Sequence, residues 1–335
     1  MNNKTIGGEF EVSPDLLKKT DSQINYFNAD YLFSSGRTAL YYILLNETSE
    51  KVYTPDYMCP CVNETIKTAG KQLIKYHVND KFEPAVSKTN EYVIFLLVNY
   101  FGLCAIDESI ILIRKNMPNA VIVLDDVQAL WDLKQKHEVD YTFSSYRKWL
   151  PVPDGAPVVT KRQIICDDLS KNTFSKHKII GSLLKYYRYF DEIDDNDYLK
   201  FFESGEYLLD KDWNCKTSSF SLNILTKLNY DDIQEQRRIN YAYLLTNLPF
   251  ENFSGGGTFV EYNLLNNKYF VPMFLPIFSE NRNDIRKKLM EHNIFCPIHW
   301  SIKNELAKKE LSIVCDQRYT IDDMNRIIKV VKECF

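Results

Sequence analysis

Three short stretches carry residue types that can do chemistry together. The first is FSSYRKWLPVPDGAPVVT at 143–160, where Lys148 lies in a turn between strand-like runs, flanked by Tyr146, Arg147 and Trp149. A lysine amine partly desolvated by aromatic neighbours is available as a nucleophile toward a carbonyl. The second is VLDDVQA, an apolar run ending in Asp125 and Asp126, with Gln128 three residues after Asp125. A carboxylate there can hold a protonated ring nitrogen and make an aromatic ring a better electron sink. The third is SSGRTAL at 34–40, which puts Gly36 between a strand-like run and a helix. Free N–H groups and the helix dipole at such a turn favour a phosphate, and Arg37 and Thr38 can add donors. A Schiff-base amine, a carboxylate for a ring nitrogen and a phosphate cradle are what pyridoxal phosphate (PLP) requires. Ser144 can also donate to the phosphate, Gln128 can reach the ring hydroxyl, and PVPDG at 151–155 is a rigid turn that holds the lysine loop. Each stretch alone has a plainer reading. Many helices begin with Ser-Gly, an Asp after a strand often caps a helix, and most lysines are solvated.

The elements that must position these residues can be read from periodicity. DYLFSS (30–35), KVYTPDY (51–57), QLIKYHVN (72–79), YVIFLLVNYFG (92–102), AVIVLDD (120–126), VDYTFSS (139–145) and APVVTKR (156–162) read as strands. TALYYILLNE (38–47), VNETIKTAG (62–70) and DESIILIRKNM (107–117) read as helices between them, the second stopped by Gly70. The runs at 92–102 and 120–126 are apolar almost throughout, as expected of strands covered on both faces. Such alternation predicts an α/β fold with a mainly parallel sheet between helices, and ligands of such sheets sit at the carboxyl ends of the strands. Gly36, Asp125 and Ser144 all fall at strand ends. From about 163 to 250 the pattern turns helical, with a helix at 231–248. A turn at 254–259 (SGGGTF), a strand at 268–278, a helix at 281–293, an extended IFCPIHW (294–300) and a terminal helix at 321–334 follow. We expect a large domain with its helical connection over 1–232 and a small C-terminal α/β domain over 233–335.

The 335 residues are 45% hydrophobic and 14% aromatic, enough for a sizeable core and against general disorder. A net charge of −4 gives no electrostatic reason to expect nucleic acid. No apolar run approaches the roughly 20 residues of a membrane span, and MNNKTIGGEF lacks the apolar centre of a secretion signal. Eight cysteines without a disulfide-scaffold pattern point to free thiols in a reducing cytoplasm. The close pair Cys59 and Cys61 lacks zinc-ligand spacing, and His77, His137, His177 and His292 are isolated, so no metal site is expected. Neither G-x-G-x-x-G nor a P-loop lysine motif is present, which argues against NAD and ATP.

The order phosphate turn, Asp-x-x-Gln, Ser-then-Lys resembles that of fold-type I PLP enzymes, and most closely the DegT/StrS-type aminotransferases of nucleotide-sugar synthesis. IGGEF (6–10) resembles that family's opening, SSGRTAL its phosphate turn, and NYFG (99–102) a strand end. VLDDVQAL resembles its Asp-bearing strand in a register that selects Asp125 over Asp126, and FSSYRKW its Ser-to-Lys segment. RRINYAYLLTNL and KKLMEHNIFCPIHW resemble parts of its C-terminal half. The chain departs from the pattern in four places, one being PVPDGAP in place of the glycine-rich stretch that follows the lysine. Arg37 stands where Thr is usual, Leu124 stands in place of an acid, and the Ser144–Lys148 spacing is one residue short. The cofactor-stacking aromatic falls near PDYMC, with Tyr57 and Cys59 both open as its match.

The resemblance implies a seven-stranded sheet in the large domain and a PLP-dependent aminotransferase. Lys148 and Asp125 would be catalytic. Glutamate would be the amino donor and a nucleotide-linked keto-sugar the acceptor, with ping-pong kinetics. It also implies a homodimer with shared sites, KTSSFSLN (216–223) being the segment expected to reach the neighbouring one. His299, in a segment that folds over the site in relatives, and Arg147 are expected to meet substrate. The rivals are a lyase or sugar dehydratase on the same scaffold and a PLP-binding regulator without catalysis. The lysine speaks against a dehydratase, which can carry histidine there, and retention of Lys148 and Asp125 speaks against a regulator.

Overall fold

The computed structural model describes residues 5–19, 25–188, 193–253, 267, 269–300 and 304–335. The turn expected at 254–259 lies outside them.

The most apolar runs form the centre of the sheet. β5 (Ile94–Val98) and β6 (Val121–Asp125) are buried at every position and pair in parallel. β3 (Lys51–Pro55) joins β5, and β4 (Gln72–Tyr76) closes that edge, both in parallel. On the other side β7 (Tyr141–Phe143) is parallel to β6, β8 (Ala156–Thr160) runs antiparallel to β7, and β2 (Tyr31–Phe33) is antiparallel to β8. The result is a seven-stranded sheet of order β2-β8-β7-β6-β5-β3-β4 in which β8 alone runs against the others. The α/β class and the seven-stranded sheet are as expected. After a short α1 (Pro14–Lys18), helices α2 (Gly36–Leu45), α3 (Pro60–Thr68) and α4 (Ile106–Asn116) connect the early strands.

Strand direction decides what meets what. Phe33, Pro55, Val98, Asp125 and Phe143 end parallel strands on one edge, so the loops after them open on the same side. Gly155, just before β8, reaches that edge with φ +116 and donates its N–H to the Ser34 carbonyl. A Cβ there would lie 3.0 Å from the Tyr146 ring, so glycine allows the turn before β8 to press against the lysine loop.

The helical stretch resolves into α5 (Phe174–Tyr187), α6 (Asp195–Lys211), α7 (Ser219–Leu225) and α8 (Tyr230–Asn247). α5 and α6 pack closely, since a Cβ on Gly205 would meet Lys178 Cγ at 2.7 Å. Further on, β9 (Phe274–Phe278) pairs antiparallel with β11 (Glu310–Val314), against α8 and helices Arg282–Glu291 and Ile321–Lys332. A two-residue β1 (Ile6–Gly7) pairs in parallel with β10 (Ile294–Phe295), tying the start of the chain to this C-terminal part.

Three expectations for the C-terminal part change. The strand expected at 268–278 shrinks to β9, because Pro272 cannot donate to a ladder and the Pro272 and Met273 carbonyls accept from Arg237 instead. IFCPIHW is a strand for two residues and then a loop over the site. β11 has no counterpart among the expected elements. Glu310 and Ser312 make it look polar, yet both are fully buried and bonded to each other and to His299.

Candidate active site

Asp125 ends β6 with its side chain in a cavity of about 280 Å³ at the carboxyl edge. One carboxylate oxygen accepts from the Val127 N–H at 2.9 Å. The other has no partner among the described residues, and the group is 5% exposed. Burial lifts the Asp125 carboxyl to about 7, against the Val127 N–H and the charge of Lys148. Asp126 points away from this cavity. It accepts from Asn99 Nδ2 at 3.1 Å, beside Asp132 and His137. Alternation along the strand thus puts one of the adjacent aspartates in the cavity and the other behind it.

Lys148 ends a short 3-10 turn, Tyr146–Lys148. The turn is held on all sides. Tyr146 N–H donates to the Gly155 carbonyl at 2.8 Å, Trp149 Nε1 donates to Val127 O at 2.9 Å, and Arg237 and Gln317 donate to Trp149 O. The Lys148 amine itself makes no hydrogen bond or ion pair with a described residue. It lines the Asp125 cavity and a second cavity of about 480 Å³ beyond it, as does Arg147.

The start of α2 forms another wall. Ser35 caps the helix by accepting from Thr38 N–H at 3.2 Å. The first-turn N–H groups of Gly36 and Arg37 have no intrahelical acceptor. Gly36 and Arg37 line the cavity, with Arg37 paired to Asp210 at 2.6 Å. Thr38 does not reach it. Its hydroxyl is fully buried and donates to Trp213 O at 2.7 Å, because position 38 lies about 100° round the helix from Arg37. Ser144 is also turned away, donating to Asp126 O at 2.7 Å. Ser145, next along the extended chain, faces the cavity in its place.

The loop after β3 supplies Met58 and Cys59, and the first turn of α3 supplies Cys61. Tyr57 is not in the cavity. It is fully buried against Tyr100 (rings 5.3 Å apart) and edge-on to Trp300 (5.0 Å), so of the two open candidates Cys59 is the one present. Gln128 lines the cavity with its carbonyl accepting from Phe101 N–H at 3.1 Å, and its amide nitrogen has no partner among the described residues. Val98, Val127 and Phe143 give apolar surface. Glu206 of α6 enters from above, bound to Arg147 at 2.9 Å and to Lys178. Burial would raise its carboxyl, but Arg147, Lys178 and Lys148 outweigh it and hold it at about 2.

The second cavity is rich in arginine. Arg318 is used up on Asp316 and Glu11, and Arg237 on carbonyls and Gln317. Arg286 bonds only through Nε, to Cys296 O at 3.2 Å, and its two terminal nitrogens have no partner among the described residues. His299 lines the same cavity, fixed by Glu310 (3.3 Å) and Ser312 (3.1 Å) at Nδ1.

Solved structures with this architecture decide the fold. The chain superposes on Helicobacter pylori PseC, an aminotransferase involved in the biosynthesis of pseudoaminic acid, with a TM-score of 0.63 at 13% identity over 99% of both chains. It superposes on an Escherichia coli GDP-4-keto-6-deoxy-D-mannose-3-dehydratase with bound hydrated PLP, with a TM-score of 0.64 at 13% identity over 98% of this chain and 100% of that one. For a DegT DnrJ EryC1 StrS aminotransferase from Brucella abortus the TM-score is 0.60 at 14% identity, over 92% and 87%. The fold is that of the fold-type I PLP-dependent enzymes. No protein-family model matches the sequence, and no curated protein matches it.

On this fold-type I scaffold the cavity gathers Gly36, Arg37, Cys59, Asp125, Gln128, Arg147 and Lys148, with His299 next door, and leaves out Thr38, Tyr57 and Ser144. Met58, Cys61, Ser145, Glu206 and Trp300 join it without having been expected. The Cys59–Cys61 spacing was the one available signal for Cys61. Nothing local marks Glu206, which reaches the site through the packing of α6 on α5.

Proposed function

We propose that the chain is a PLP-dependent aminotransferase. The observation that carries this reading is Lys148, whose amine has no partner among the described residues and whose turn is held between a cavity containing a buried carboxylate and a cavity containing the Arg286 guanidinium. The residues present fit PLP. The free oxygen of Asp125 would hold the ring nitrogen, and its raised pKa would be reversed by a cationic partner. The N–H groups at Gly36 and Arg37, with Arg37 and Ser145, would hold the phosphate, and the free amide nitrogen of Gln128 would meet the ring hydroxyl. PLP supplies an electrophilic carbon and a ring into which charge delocalises. Lys148 Nζ would anchor it, then take and return the proton on the substrate carbon. Trp149, fully buried and bonded to Val127 O, fixes the turn behind the lysine.

The substrate side is the arginine-rich cavity. Arg286 suits a carboxylate or phosphate, consistent with glutamate as donor and a nucleotide-linked keto-sugar as acceptor. His299 would meet the substrate from the same wall. A cytoplasmic homodimer belongs to the same proposal. Within its own chain the expected cross-subunit segment is anchored by Ser218 N–H on Asp154 and Asn172 on Lys216 O.

A dehydratase is the second reading, because one of the similar structures is a dehydratase. The lysine at 148 favours transamination. The test starts with the purified protein plus PLP. Borohydride reduction and peptide mapping should label Lys148, and Lys148→Ala should lose label and turnover while staying folded. Protein loaded with amine from glutamate is then offered keto-sugar nucleotides and simple keto acids. An aminated sugar supports the proposal, loss of water from the sugar indicates the dehydratase, and label on another lysine rejects the site.

A further inference from the structure

The aminotransferase reading places Cys59 against the cofactor but gives no redox role to the thiol pair at the mouth of α3. Cys59 caps the helix and Cys61 lies in its first turn, with Pro60 between them. Their sulfurs are 3.0 Å apart, and both line the smaller cavity with Arg37 and Lys148. Both are partly exposed rather than sealed. An approach of about 1 Å would bring them to disulfide bonding distance. Pro60, fixed in φ, holds the entry of the helix so that both side chains stay on the cavity side.

We propose that Cys59 and Cys61 are a reversible dithiol–disulfide site, oxidised by exchange with a low-molecular-weight disulfide. The Cys59 thiolate attacks one sulfur of the small disulfide, whose S–S bond breaks, and one small thiolate leaves. Cys61 gives its proton to solvent and attacks the Cys59 sulfur of the mixed disulfide. The Cys59–Cys61 bond forms and the second small thiolate leaves. The protein loses two electrons and two protons, and the small disulfide is reduced to two thiols.

The two groups differ in the way these steps require. The hydrogen bond with Cys61 holds Cys59 down to about 6 against burial, with Lys148 and Arg37 assisting. The same bond, burial and the Cys59 charge push Cys61 up. Once Cys59 sits in a mixed disulfide, its charge is gone and Cys61 ionises more readily. Cys104, Cys166, Cys215, Cys296, Cys315 and Cys334 contrast with the pair, since burial pushes each of them up. Oxidation would remove the thiolate that faces Lys148 and Arg37 and so change the charge of the cavity.

The test uses the full-length protein, incubated natively with glutathione disulfide, then denatured, alkylated and digested. The peptide carrying Cys59 and Cys61 should escape alkylation and weigh two hydrogens less, and dithiothreitol should restore both thiols. Cys61→Ser should stop at a glutathione adduct on Cys59, and Cys59→Ser should form no disulfide there. In the reduced protein, Cys59 alkylation should rise with a midpoint near pH 6, and that midpoint should move up in C61S. If both wild-type thiols remain alkylatable after glutathione disulfide, or the first adduct forms on Cys61, the proposal is overturned. The wild-type measurement does not depend on either variant folding. None of these readouts involves PLP or turnover, so the thiol site and the aminotransferase reading fail separately.

Discussion

Asp125 is stable in the fold mainly as the neutral acid. Its pKa is raised from 3.8 to about 7, so the stability tied to its protonated form is full below about pH 4 and lost as pH rises through about 7. Asp125→Asn keeps the shape and the bond from Val127 N–H but carries no charge to desolvate. Cofactor-free D125N should therefore be more stable than wild type at pH 8 by on the order of 2–4 kcal/mol, with the difference closing near pH 4. Urea unfolding at the two pH values checks this, and an equal difference at both would remove burial as the cause. The same variant should lose at least about a hundredfold in turnover, roughly 3 kcal/mol of barrier, whereas Asp126→Asn should be milder. A milder Asp125→Asn would mean that the wrong aspartate has been assigned to the ring nitrogen. Arg286 is tested by Arg286→Ala. We expect KM for the anionic substrate to rise about 10- to 100-fold with a small change in kcat, as for lost uniform binding. A kcat effect alone would take Arg286 out of substrate binding.

Among elements, the loop after β6 is tied to α4 by a charged cluster just behind the site. His137 bonds to Asp132 at 2.9 Å and to Asp107 at 2.7 Å, and Asn99 links Asp132 to Asp126. Burial opposes the His137 charge, but Asp132 and Asp107 prevail and lift it to about 9. A raised histidine stabilises fully below its ordinary value near 6.5, and that stability is lost as pH rises through about 9. His137→Gln should cost about 1–3 kcal/mol at pH 6 and little at pH 10, as read by thermal or urea unfolding. A loss independent of pH would show that His137 acts by packing alone.

Across the whole molecule, Arg237 joins the lysine loop to the C-terminal part. From α8 it donates to Trp149 O, Pro272 O, Met273 O and Gln317, and its guanidinium lies 4.7 Å from the Trp149 ring. It is buried with no carboxylate bonded to it among the described residues, and burial pushes its pKa down to about 10, so it remains charged at neutral pH. Arg237→Met should keep the stem but strand buried carbonyls, costing about 2–5 kcal/mol. The urea midpoint should fall with the slope unchanged. Because Trp149 follows Lys148, we also expect turnover to fall. Unchanged stability and turnover would mean that the two parts are held together elsewhere.

The sequence by itself determined the strands and helices of the sheet, because apolar runs such as 92–98 and 121–125 have one way to be buried and Gly70 one way to stop a helix. It also singled out Lys148 and, through the family resemblance, Asp125 as the proposed chemical pair, since a lysine in an aromatic turn and an acid ending a buried strand are local patterns. Tertiary structure decided what local pattern could not. Thr38 and Ser144 carry suitable hydroxyls, but the turn of α2 and the alternation after β7 aim them at Trp213 O and Asp126 O, and Ser145 faces inward. Tyr57 went into the core because Tyr100 and Trp300 close over it. Glu206, Arg286 and His299 come from elements 58 to 151 residues beyond Lys148, and β11 was hidden by a buried Glu310 that its contacts with His299 and Ser312 explain. Side-chain direction at a site depends on which elements pack across it, and that information is non-local in the chain.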